Sequence, residues 1–274
     1  MNRLPAKLAA AALLSFVFLV LLAPIAVIAL GSLDNAARAF VTIPPKNLGI
    51  AAYFSIKPHY WAALQTSVVL GATAAVVASL IGIPAALGLV RGRVAGRAII
   101  LAVLQAPLQI PALVVGVSLL ETYYAVGAAT GWYAQDSFAG LAIAHTFAVT
   151  PYVIGTLVTV LQRYDASIEE AARILGASQL GILWQITLPL LRPGLFAGAL
   201  YAFATSFSEV PISVFLSGSH VKTFPVEVFT SLQFDFDPSI LAISTIVTAI
   251  SLVVVFAMQR LLGLHIFLNV GAAE

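Results

Sequence analysis

The sequence predicts an all-α membrane protein with six transmembrane helices, and three observations predict it. Of the 274 residues, 61% are hydrophobic and 9% are charged, and mean hydropathy is +1.04; soluble domains carry about 25% charged residues. Six runs, roughly 8–30, 61–90, 98–120, 138–161, 194–216 and 240–262, reach about the twenty apolar residues that cross the hydrocarbon core as a helix. None of them alternates in the way a barrel strand must, which leaves helices as the spanning element.

The first run follows Arg3 and Lys7 as the core of a secretory signal would. It continues from Leu8 to Leu30, past the about 7–15 residues of a signal core, and is expected to be a retained span. Basic residues then set the orientation. With the N-terminus inside, Arg3, Lys7, Arg91, Arg93, Arg97, Arg163, Arg173, Arg192 and Arg260 fall on the cytoplasmic side, and Arg38, Lys46, Lys57 and Lys222 outside. The turn Arg91–Arg97, with three arginines, is the strongest anchor. Both termini are expected in the cytoplasm. The loops 31–60, 121–137 and 217–239 are placed outside, and 91–97 and 162–193 inside.

No stretch is long and polar enough for a soluble domain, so the chain reads as one transmembrane domain over residues 1–274. It has no Gly-rich loop ending in Gly-Lys-Ser/Thr to hold ATP. It has no cysteine for disulfides or thiolate metal sites. No catalytic or metal site is expected, and no inverted repeat of the kind many secondary transporters carry is evident.

The inner loop 162–193 holds a polar, helix-patterned island. Ser167 and Glu170 have the spacing of a capping box, and Glu169 and Glu170 complement the positive end of a helix dipole. Gly176 sits where a helix end needs positive φ. Ser178 is placed to start a second short helix, and Pro189 is expected to limit it. Ala171 and Ala172 give the first helix a flat face for close packing. An amphipathic helix on the membrane surface would satisfy the same local physics.

The spacing is more specific than that. Glu170-Ala171-Ala172, then three residues, Gly176, nine residues and Ile186-Thr187-Leu188-Pro189 resembles the signature loop of ABC-importer permeases, here between the fourth and fifth of six spans. The resemblance implies a type I importer-like membrane subunit whose coupling helix docks on a soluble ATPase. Glu170, Ala171, Ala172, Gly176, Ile186, Leu188 and Pro189 are its ATPase-coupling positions. Finer features are similar to the spermidine/putrescine branch: Ala23-Pro24-Ile25, Ile43-Pro-Pro-Lys46, His145-Thr-Phe-Ala-Val-Thr-Pro151, Ser206-Phe-Ser-Glu209 and Phe215-Leu-Ser-Gly218. Permeases of that branch carry paired acids where this chain has Ser208-Glu209.

Glu209 is the one acidic residue placed inside a span. A carboxylate there costs about 2.5–3.5 kcal/mol or more, so it faces either a cavity or a partner. It is a candidate for the substrate pathway, as a group attracting a cation, or else a structural acid. His145, beside Thr146, is a second candidate or a helix–helix hydrogen-bonding group. Gln105 and Gln109, one helical turn apart beside Pro107 and Pro111, suggest a cavity-facing stripe. Gly82, Gly88, Gly194 and Gly198 read as close-approach positions. Glu227, Asp235 and Asp237, interleaved with Phe224, Phe229, Phe234 and Phe236, form either a docking surface or an aromatic belt with solvated charges.

The resemblance therefore implies half a translocation pathway for a small polar solute such as a polyamine, with no cofactor in this chain and ATP-Mg bound by partner subunits. The implied partners are a second, related but distinct permease, two cytoplasmic ATPase subunits, an extracytoplasmic solute-binding protein and the lipid bilayer of a bacterial inner membrane, with no nucleic acid. The alternatives are a homodimer of permeases, an ion-gradient-driven carrier or channel using Glu209 and His145, and a non-transporting scaffold.

Overall fold

A computed structural model describes residues 4–35, 43–92, 94–234 and 236–261. Arg3, Arg38, Arg93, Asp235 and Leu262, which figure in the sequence reading, lie outside them. Among the described residues the regular elements are helices, apart from one bridge pairing Asp34 with Leu48. Six helices are long and apolar enough to cross a membrane. The chain packs as two compact units, residues 1–60 with 230–274, and residues 61–229.

In the first unit, α1 (Leu4–Gly31) and the short α2 (Ala51–Phe54) pack against α12 (Ser239–Leu261). The Thr245 hydroxyl donates to the Leu241 carbonyl at 2.8 Å and lies 3.4 Å from that of Ile28. In the connection between α1 and α2, the buried Asp34 carboxylate accepts the backbone N–H groups of Lys46 and Asn47. Lys57 pairs with Asp237 at 2.8 Å.

The second unit is built around α6 (Phe138–Arg163), which buries Leu141 and Ala144 in one apolar cluster and Val153, Leu157 and Leu161 in another. Its main neighbour is α9 (Leu188–Phe207), which presents Gly194, Gly198 and Ala202 at every fourth position. A methyl group at Gly194 would come within 2.6 Å of a Val160 methyl, so these small residues set the helix separation. Gly82, on α3 (Pro58–Arg91), lets that helix approach Val153 in the same way. Gly88 faces open space instead, so it is not a close-approach position.

Two runs differ from their expected form. The third divides into α4 (Arg97–Gln105), a 3-10 turn (Ala106–Gln109) and α5 (Ala112–Thr130). Pro107 and Pro111 are the cause. Proline removes a backbone donor and disfavours helical geometry in the residue before it; Ala106 before Pro107 stays helical, whereas Ile110 before Pro111 is extended, with ψ 131°. The membrane-length helix is therefore Ala112–Thr130 rather than 98–120.

The fifth run starts earlier than 194. The Ser178 hydroxyl accepts the Gly181 N–H at 3.1 Å, which opens α8 (Gln179–Ile182) as expected. Pro189 does not limit it: a π turn (Leu183–Thr187) carries α8 into α9. The wider i→i+5 turn makes room for a ring that would press on the carbonyl four residues back. The helix breaks instead at Ser208–Val210, before α10 (Pro211–Leu216), which packs on α5 and α6. The last interspan stretch, expected as a loop, contains α11 (Phe224–Phe234).

Candidate functional site

The island between α6 and α9 forms two short helices, α7 (Ser167–Ile174) and α8. The Ser167/Glu170 capping box does not form. Ser167 is already helical, and Asp165 provides the cap, accepting the Ser167 N–H at 2.9 Å. The Ser167 backbone and hydroxyl, and Arg91 beyond them, hold Asp165 below the usual carboxylate range against slight desolvation. The far end is a Schellman turn: Gly176, at φ 87°, donates to the Arg173 carbonyl, and Ala177 to that of Ala172. This turn projects Ile174, Leu175 and Leu180, which are 86%, 87% and 69% exposed. Glu170, Ala171 and Gly176 are exposed on the same island, Ala172 is half-buried, and Ile186, Leu188 and Pro189 are half-buried where the π turn meets α9.

The neighbouring acid points the other way. Glu169 Oε1 accepts Arg91 Nε at 3.4 Å and the Thr187 hydroxyl at 3.2 Å. A second Arg91 nitrogen, Nη2, donates to the Tyr164 carbonyl at 3.3 Å. Sequence reasoning used Glu169 only for its charge near the helix dipole. Its partners lie 78 and 18 residues away, so no local spacing announces them.

A second polar cluster lies across the break between α9 and α10. His145 on α6 is fully buried; its Nδ1 is 2.7 Å from Ser206 Oγ and its Nε2 is 2.9 Å from Ser213 Oγ. Glu209 turns back to the start of α10, accepting the N–H groups of Ile212 and Ser213, both at 2.9 Å, and the Ser213 hydroxyl at 3.2 Å. Because the Ser213 hydroxyl donates to Glu209, it accepts from His145. Nε2 therefore carries the imidazole proton, and Nδ1 accepts from Ser206. The structure brings His145 and Glu209 together through Ser213. The sequence marks Ser206 within Ser-Phe-Ser-Glu, but it has no signal for Ser213.

The profile of the family described as "binding-protein-dependent transport system inner membrane component" matches residues 78–267. This chain belongs to that family. The permease is 36% identical over 186 residues to the Escherichia coli (strain K12) putrescine transport system permease protein PotI, covering 68% of this chain and 66% of that one. It is 33% identical over 193 residues to the Haemophilus influenzae spermidine/putrescine transport system permease protein PotC, covering 70% and 73%. Its matches thus span about two thirds to three quarters of these relatives' lengths. A solved bacterial ABC transporter involved in the import of the acidic polysaccharide alginate shares the fold with a TM-score of 0.72, at 19% identity and covering 94% of this chain and 96% of that one. The six membrane-length helices of this permease agree with the inner-membrane component that the family description gives.

Other candidate positions separate in the permease. Gln105 ends α4 half-buried, its amide 3.7 Å from where a side chain on Gly155 of α6 would begin. Gln109 is exposed at the end of the 3-10 turn. A 3-10 turn advances about 120° per residue, so the two amides do not share the face that an α-helix would give them. A groove of about 550 Å3 lies between Thr73, Val103, Pro107, Phe147 and Thr150, and neither glutamine lines it. The hydroxyls of Thr73 and Thr150 donate to carbonyls of their own helices, leaving the groove walls apolar.

At the α5–α6 connection, Asp136 accepts the N–H groups of Ser219, His220 and Val221 at 3.0–3.1 Å. Slight desolvation works against these amides, led by Val221, but they hold Asp136 below the usual carboxylate range. Near α11, Glu227 pairs with Lys222 at 3.5 Å. With Asp237 held by Lys57, two of the acids expected to form a docking surface already have cationic partners.

Proposed function

We propose that this permease is one of two membrane subunits of an ATP-driven importer, with α7 and α8 as the element read by a cytoplasmic ATPase. The observation that carries this reading is the exposed apolar turn of Ile174, Leu175 and Leu180 beside Glu170 and Arg173. Such side chains at a charged helix end lose water contact only when a partner covers them. The motif Glu170-Ala171-Ala172 to Pro189 runs through the same two helices, and the arginine distribution puts them on the cytoplasmic side. ATP-Mg then binds in the partner ATPase subunits. A second permease, related but distinct, completes the pathway, and an extracytoplasmic protein delivers the cargo.

The cargo proposed is a small polar cation of the polyamine class, supported by the similarity to a putrescine and a spermidine/putrescine transport system permease protein. The test is co-purification with the ATPase subunits, then uptake of labelled putrescine into proteoliposomes carrying the full complex. Uptake that requires ATP and the delivering protein is the expected result. Uptake by this chain alone, driven by an ion gradient, would overturn the reading.

A further inference from the structure

Adjacent glutamates at positions 169 and 170 face in opposite directions, and the inward one joins three elements. One carboxylate oxygen of Glu169 receives Arg91 Nε from the end of α3 and the Thr187 hydroxyl from the π turn that leads into α9. The junction is sheltered: the side chains of Arg91 and Glu169 are 23% and 14% exposed, and Thr187 is buried. Arg91 also holds the Tyr164 carbonyl where α6 ends. Helix α7 is linked through the chain to α6 and α8, and these polar contacts tie the same segment to α3 as well. The π turn contributes too, since the register of a π turn differs from that of the α-helix that would otherwise carry Thr187.

We propose that Glu169 is a positioning residue for transport: with Arg91 and Thr187 it fastens α7 to α3 and α9, so that force arriving at α7 displaces those helices together. This rests on the importer reading above. Glu170, Ile174 and Leu175 present the outward contact, and Glu169 passes the displacement inward. A sheltered charged hydrogen bond suits this role because it is short-ranged and directional, and it fails when either partner is removed.

The experiment uses the full complex of permeases, ATPase subunits and delivering protein in proteoliposomes, with labelled putrescine as the probe. Three quantities are read: ATPase association, ATP hydrolysed and putrescine taken up. Glu169→Ala and Arg91→Gln are expected to retain association and hydrolysis while uptake per ATP falls about fivefold or more, the scale of a typical coupling free energy. The exchange Arg91→Glu with Glu169→Arg should recover most of the loss, and Thr187→Val should show a smaller fall.

A cargo-independent arm exploits the absence of cysteine. Nitroxides at I168C and L80C, both exposed, should keep one separation with and without ATP-vanadate trapping, and Glu169→Ala should make it nucleotide-dependent. Unchanged uptake per ATP and unchanged separations in Glu169→Ala would overturn the proposal while leaving the importer reading intact. Loss of ATPase association in Glu169→Ala without rescue by the exchange would also overturn it. A wild-type complex that shows no ATP-dependent uptake would sink the importer reading and this proposal with it.

Discussion

Glu209 and Glu169 show how differently two carboxylates near a membrane are satisfied. Glu209 is held by two backbone N–H groups and one hydroxyl at the start of α10, which makes it a helix cap in geometry whatever else it touches. Removing such a cap costs about 0.5–2 kcal/mol. Glu209→Ala is therefore expected to lower the melting temperature of the detergent-purified permease, while Glu209→Gln, which keeps an acceptor oxygen, retains most uptake; near-complete loss in the Gln variant would return Glu209 to the cargo pathway. His145→Ala leaves Ser206 and Ser213 without their shared partner, at about 1–3 kcal/mol for buried polar groups left unsatisfied, and a thermal melt reads it. Asp136 gives a pH signature. Its folded-state pKa lies below its ordinary value, so its contribution is complete above that ordinary value and disappears as pH falls through the folded one. Asp136→Asn should be less stable than the wild type at pH 7, with the gap closing in strong acid; a gap that persists there would contradict this sign.

At the scale of elements, the joints decide more than the helices do. Gly176 occupies the left-handed region at φ 87°, where a residue with a Cβ pays about 1–2 kcal/mol. Gly176→Val is expected to disorder the turn carrying Leu175 and weaken ATPase association severalfold, without changing membrane insertion. Pull-down and protease accessibility test the two halves of that expectation. Gly194→Leu would force α6 and α9 apart, because even a methyl group meets Val160, and should be seen as loss of folded permease. Both glycines stand out in the sequence through their spacing. The breaks in the third and fifth runs do not. Pro107 and Pro111 lie in the third run, and Pro189, Pro193 and Pro211 lie in or just before the fifth; propensity does not tell which proline a π turn absorbs and which one starts a new helix.

For the whole molecule, the arginine and lysine distribution predicts one orientation. Because the chain has no cysteine, single replacements report it directly. S219C, beside Asp136, should react with a membrane-impermeant maleimide in spheroplasts, and G96C only after permeabilisation. The reverse pattern would invert the assignment and with it the placement of α7 and α8.

Composition and run length alone determine that this chain is a helical membrane protein with six spans, because unpaired backbone polar groups in lipid leave few other options. The fixed spacing from Glu170 to Pro189 carries the resemblance to the family whose profile matches residues 78–267. Only the tertiary structure decided where the polar side chains are spent. Glu169 meets Arg91 and Thr187, and His145 joins Ser206 to Ser213 over a helix break. The physical reason is range. Helix periodicity and caps are settled within a few residues, whereas Arg91 and Glu169, 78 residues apart, meet only after the helices that carry them have packed.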